Sequence, residues 1–367
     1  MKTTTVEYMK NKIAIATAFF AASCLPFAEI VLTDSLSIEG FADMSYSRTE
    51  DDKVVANQTE NSHNLDQVEI TFLLDFDVLT AQLDLQWEDG TGYSVDQAFT
   101  SYSPSNGIVI TVGSYDSMLG FEASEPTGLF QYSGAYSSDT ETFIDDDVTY
   151  SDIITPETNN GIKLSYETDT DFLAISLQDG AFFGDGRLGR DTDSDTSAEL
   201  VAQLTGTLDP ELSSHAIEAA YAKDLGNGYN ALIGAVFETT EVGNGANDFE
   251  IESTAINAFV TYETGAWLFV GEYNMTNHDI STADEREIDS FLVMANCSYS
   301  DQASITGRVS HVDVDSFLDA TKFTLAHNYA FTKNLMLVTE ISAIDYEFAG
   351  GADGETLEGA LELLFTF

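Results

Sequence analysis

Positive charge is what this chain most lacks. Its 13 Lys and Arg stand against 63 Asp and Glu, a formal net charge of −50. No basic patch can be assembled from so few cations, which excludes nucleic acid as a partner. Cysteine is nearly absent as well: of the two, Cys24 lies in a segment laid out as an export leader, and its removal leaves Cys297 without an intrachain partner. Past that leader there is no apolar run of 18 residues, so no transmembrane helix is expected. Histidine is scarce, at five residues, and none belongs to an HExxH pattern; nor does a GxSxG elbow occur. Ser310-His311 and His327-Asn328 are the two polar pairs worth a glance, and neither makes a case for catalysis. The reading is of a non-enzyme without a cofactor.

What is abundant is acid together with apolar residues. The hydrophobic share of 43% is too high for an acidic disordered tail. Such an acid excess suits a salty exterior, where a short Debye length screens self-repulsion. Lys10 and Lys12 precede the apolar run Ile13 to Phe20, with small residues after it, the layout of a secretory signal. Residues 1–28 are read as that signal, cut after Ala28, and residues 29–367 as one domain.

From Ser35 onward the pattern is two-periodic. Leu79, Ala81, Leu83, Leu85 and Trp87 oppose Thr80, Gln82, Asp84, Gln86 and Glu88, as successive side chains of a strand point to opposite faces. Seventeen such segments can be counted. In the second half, tight polar turns interleave with longer acidic or Gly-rich loops, including residues 240–248, 276–287, 313–319 and 349–356. Aromatics such as Tyr102, Tyr221, Trp267, Tyr299 and Tyr329 gather near strand ends, where amphipathic rings suit a lipid–water interface.

The last eleven residues, LEGALELLFTF, place Leu357, Gly359, Leu361, Leu363, Phe365 and Phe367 on one face and Glu358, Ala360, Glu362, Leu364 and Thr366 on the other. This ending resembles the C-terminal strand of Gram-negative outer-membrane β-barrels, where the terminal aromatic is part of the assembly signal. The fold expected is all-β, a closed antiparallel transmembrane barrel, because unpaired backbone groups in hydrocarbon cost several kcal/mol each and only a sheet without edges avoids them. An even strand number is required of a barrel whose termini share one side. Sixteen is preferred, with one segment between 161 and 207 not spanning; eighteen is the other even count. A barrel of that size encloses a water-filled lumen, and the polar strand faces, rich in Glu, Asp, Gln, Ser and Thr, suit it.

Residues 114–160 form the longest irregular segment. In length and in its place after the fifth strand it resembles the loop that folds into the barrel of trimeric porins and narrows it. On that resemblance Asp116, Glu122 and Glu125 are candidate constriction residues, and Lys163, Arg308 and Lys322, on the polar phase of their strands, are candidate pore-wall bases that would oppose the acidic loop and set up a transverse field. Asp191, Asp193 and Asp195 have the alternate spacing of a calcium loop, but Thr196 stands where the glycine belongs and Ala202 where the bidentate Glu belongs. The expected function is passive diffusion of small hydrophilic solutes and ions with cation preference. The partners expected are outer-membrane lipid and lipopolysaccharide, and the resemblance alone implies a homotrimer. The competing reading is a non-conducting barrel serving as scaffold, adhesin or receptor.

Overall fold

The structure is a computed structural model that describes residues 29–52, 57–88, 92–136, 153–156, 158–183, 211–243, 249–281, 285–351 and 353–367. Strands dominate: β1 (Ile30–Thr33), β2 (Leu36–Asp52), β3 (Asn57–Asp75), β4 (Leu79–Glu88), β5 (Gly92–Ser105), β6 (Ile108–Asp116), β7 (Thr158–Glu167) and β8 (Asp171–Gln178). The second half supplies β9 (Glu211–Gly226), β10 (Tyr229–Gly243), β11 (Phe249–Thr264), β12 (Trp267–Ile280), β13 (Arg286–Ser300), β14 (Ala303–Val314), β15 (Leu318–Thr332), β16 (Leu335–Phe348) and β17 (Asp353–Thr366). Every strand from β2 to β17 pairs antiparallel with its sequence neighbours, and β17 returns to pair with β2, closing a sixteen-stranded barrel. The expected even count is met. The segment 198–207, taken as a strand in the count of seventeen, lies outside the described residues.

Connections alternate in length around the ring. On one rim the hairpins are tight: Asn106-Gly107 and Asn227-Gly228 both take positive φ at two consecutive residues (59° and 80°; 58° and 84°). That is the backbone of a two-residue turn whose twist matches the flanking strands, and Asn-Gly is the pair that adopts it most readily. The opposite rim carries the longer links, each shorter than expected because the flanking strands pair on through Val242↔Phe249, His278↔Arg286 and Glu347↔Asp353. The acidic stretch 313–319 is not a long loop, because the pairing continues through Asp313↔Asp319 and Val314↔Leu318. Ser316, with φ of 58°, turns the chain in three residues.

The seam between the chain ends is held at Gly40, which exchanges two 2.9 Å backbone hydrogen bonds with Phe367. Beyond that point β1 takes over the exposed edge of β2, with Ile30 opposite Ile38. A Cβ on Gly40 would lie 2.3 Å from the Glu69 carbonyl oxygen and 2.7 Å from the Phe367 ring. Gly40→Val is therefore expected to cost about 3 kcal/mol, at the upper end for overpacking, since one clash is with backbone that cannot rotate away. The fraction of refolded protein migrating as the compact, heat-modifiable band should fall sharply; an unchanged fraction would show that the seam tolerates displacement.

Side-chain direction follows the two-residue period. In β17, Leu357, Leu361 and Phe365 are 45%, 46% and 41% exposed on the outside, while Glu358, Glu362 and Thr366 are buried on the inside. The same holds around the ring, where Ile233, Phe237, Val293, Phe323, Leu325 and Ile341 all face outward and exposed. A continuous apolar exterior of this kind does not occur on proteins surrounded by water. Stacked rings (Tyr229 on Tyr262, Trp267 on Phe269) mark the tight-turn rim, the position suited to a lipid–water boundary.

The interior departs from the uniformly polar lining expected. On β10 to β13 the inward face carries Val236, Ile251, Phe259, Val270, Ile288, Leu292 and Met294, all buried. They are covered from within by Met118, Leu119, Phe121, Phe130, Ile153, Ile154, Phe182 and Phe183 of the inter-strand segments. Each such side chain taken out of water contributes about 1.5–3 kcal/mol, enough to hold loop backbone against this half of the wall. Sequence periodicity separates inward from outward but not wet inward faces from covered ones.

Candidate functional site: a loop across the barrel lumen

Of the link between β6 and β7, the described residues 117–136 and 153–156 lie inside the barrel. Their backbone N–H groups must find acceptors there, and wall glutamates supply them. Glu218 of β9 accepts from the Met118 amide at 2.5 Å and from Ser117 Oγ at 2.9 Å. Glu272 of β12 accepts from the Phe121 amide at 2.7 Å, from Asn257 Nδ2 at 2.8 Å and from the Tyr136 hydroxyl at 3.2 Å. Glu340 of β16 takes the amides of Tyr132 and Ser133 at 2.8 and 3.1 Å and the Ser133 hydroxyl as well. The next inward segment is held the same way, with Glu238 of β10 accepting from the amides of Phe182 and Phe183 at 2.8 and 3.2 Å. Hydroxyl and amide side chains of the wall donate in the other direction, to loop carbonyls: Thr306 and Asn328 to Phe130, Ser310 to Ala135, and Thr276 to Ile154. A large part of the buried acid is thus the loop's anchorage.

The candidate residues occupy distinct places along this loop. Asp116 is the last residue of β6, on the wall, where its carboxylate accepts from Gln97 Nε2 at 3.1 Å and from Thr158 Oγ1 at 2.7 Å. Glu122 is on the loop and binds Arg308 Nη1 of β14 at 2.7 Å; it also accepts from Gln131 Nε2 and the Ala135 amide, both at 2.7 Å. Three residues further on the chain has crossed the lumen. Carboxylate oxygens of Glu125, of Glu69 on β3 and of Asp96 on β5 lie within 4.8 Å of one another. A one-turn 3-10 segment, Pro126–Gly128, then reverses the chain toward β14. Loss of solvent and then the charge of Glu69 push the Glu125 carboxyl well above its ordinary range. Burial and the charge of Glu272 likewise raise the Tyr136 hydroxyl.

Of the basic residues, Arg308 and Lys322 come together on adjacent strands, where Ser310 pairs with Lys322. Arg308 also donates to the Gly134 carbonyl at 3.0 Å, and Lys322 Nζ lies 3.5 Å from Glu358. Lys163 stands seven strands away on β7, 4.3 Å over the ring of Tyr115. The three bases therefore do not form one cluster. Between the loop and the strands β15, β16, β17 and β2 lies a cavity of about 270 Å³ bordered by Tyr132, Ser133, Lys322, Glu340 and Glu358. Asp191, Asp193 and Asp195 lie outside the described residues.

Glu69, Asp84 and the four anchoring glutamates were not singled out from the sequence. Their only signal there is acid on the polar phase of a strand, which dozens of residues share. Ser310 and His311, adjacent in sequence, point to opposite faces: Ser310 reaches the loop inside, and His311 pairs with Thr321. They cannot act as a nucleophile and its base.

No protein-family profile and no curated protein matches the chain. Solved structures do. The anion-selective porin of Comamonas acidovorans superposes with a TM-score of 0.62 at 14% identity, over 91% of this chain and 99% of that one. The outer-membrane channel DcaP of Acinetobacter baumannii gives 0.64 at 10% identity, over 90% and 97%. OmpF of Salmonella typhi gives 0.58 at 14% identity, over 92% and 100%. At these identities the likeness establishes the fold: this chain is a porin-like sixteen-stranded β-barrel.

Proposed function

We propose that the protein is an outer-membrane porin through which small hydrophilic solutes and ions diffuse passively, with cations preferred. The observation that carries this reading is the inward-folded loop beside an open, carboxylate-bordered cavity, inside a wall whose outer face is apolar. Lipid accounts for the exterior, and the loop accounts for a passage narrower than the bare barrel. Outer-membrane lipid and lipopolysaccharide are the surroundings this exterior suits, and residues 1–28 the leader for export. The likeness to the trimer form of OmpT from Vibrio cholerae, at a TM-score of 0.58, supports a homotrimer. The passage combines Glu340 and Glu358 with Lys322, the last paired within it, so fixed negative charge predominates and raises the local cation concentration.

Recording the purified protein in planar bilayers under a potassium chloride gradient tests both parts. Steady current with a reversal potential displaced toward potassium is expected, and Glu358→Gln should shift it back toward zero. A reversal potential displaced toward chloride would end the cation reading. A folded barrel that passes no steady current would leave the fold standing and favour the scaffold, adhesin or receptor reading.

A further inference from the structure

The tip of the lumen loop ends against wall carboxylates, those of Glu69 and Asp96. Glu69 is 3% exposed; its Oε1 accepts from Thr71 Oγ1 at 2.9 Å, and its Oε2 has no hydrogen-bond partner. Asp84, on the adjacent strand opposite Thr71, is 1% exposed, and its Oδ1 is also without a partner. A buried carboxylate oxygen with no donor is costly, and here two stand side by side in one wall.

The backbone is arranged to add a third. Leu83 pairs with Ala98 and Leu85 with Val95, so a bulge leaves Asp96 and Gln97 together opposite Asp84. Val95 and Ala98 keep their outward phase, and the extra residue turns Asp96 into the lumen, the re-aiming that bulges commonly perform. The loop then brings Glu125 to the same point. Acceptor oxygens of Glu69, Asp96 and Glu125 lie within 4.8 Å of one another, about twice the metal–oxygen distance of a calcium site. All are hard oxygen donors, without nitrogen or sulfur, which selects a calcium-class ion over zinc or copper.

We propose that Glu69, Asp96 and Glu125 bind one calcium ion, with Asp84 beside them, and that this ion staples the tip of the lumen loop to the wall opposite its Arg308 anchorage. The loop is then fixed at both ends of its crossing, by Glu122 on Arg308 at one side and by the ion at the other. Without the ion, ionised carboxylates at this spacing repel one another.

The test is calcium titration by calorimetry on the refolded, chelator-treated full chain, so it reads binding and stands or fails separately from conductance. One saturable site per chain is expected. Glu69→Gln combined with Glu125→Gln should weaken it at least tenfold, whereas Asp313→Asn combined with Asp315→Asn, on the exposed rim, should leave it unchanged. Heat-modifiable migration reports that each variant is folded. The proposal is overturned if the unaltered protein shows no saturable site, as it would if a shared proton bridged Glu69 and Glu125, or if the lumen variant binds with unchanged affinity. Were the double variant not to fold, Asp96→Asn carries the same expectation from the wall side alone.

Discussion

Glu340→Ala should both weaken the barrel and widen its passage. The carboxylate accepts two loop amides and a hydroxyl, and each buried donor left without an acceptor costs about 1–3 kcal/mol. The cavity beside Tyr132 and Ser133 lets water reach part of what is exposed, which holds the sum to about 3 kcal/mol. Urea unfolding in lipid vesicles should show that loss. Single-channel conductance should rise, because residues 132–134 border the cavity and would no longer be held to β16. Glu340→Gln keeps one acceptor and should fall between the two. If neither the unfolding midpoint nor the conductance moves, the loop is not held there.

Arg308→Met removes the other anchorage. The guanidinium side chain is fully buried and joins Glu122 to β14 at 2.7 Å, with further donation to the Gly134 carbonyl and to Thr324 Oγ1. Breaking a buried pair from one side typically costs 3–5 kcal/mol, since the remaining charge stays where it cannot be solvated. Glu122 keeps two other donors, so a loss of about 3 kcal/mol is expected, accompanied by noisier open-channel current as the crossing segment loosens. The double variant Arg308→Met with Glu122→Gln should recover part of the loss. A coupling of about 1.5 kcal/mol or more would match close charge pairs elsewhere; additivity within about 0.5 kcal/mol would mean the two side chains act independently.

How far such sites are legible before the fold is known depends on the range of the interaction. Glu122 and Glu125 stand out in the sequence because they sit in a long irregular segment, and Arg308 because bases are rare. That Glu122 meets Arg308 across 186 positions is not written in any local pattern. Asp116 shows the limit in the other direction: taken with the loop, it proves to end a strand, since β6 runs four residues beyond Val112, the last aliphatic position of its alternation. Lys163 shares its polar phase with Arg308 and Lys322, but phase fixes only the face of a strand, and ring position placed it across the barrel.

The chain alone determined that the sheet is closed and which way each strand faces. A two-residue period leaves a single choice of inside and outside for every side chain, and Leu, Phe and Ile on one face with Glu and Thr on the other make that choice energetically one-sided. What only the tertiary structure decided is how the inner face is used. Whether an inward carboxylate borders an open passage, receives a loop amide or waits for a cation depends on which backbone crosses the lumen beside it. That crossing is set by apolar contacts between segments a hundred or more residues apart, which no local period encodes.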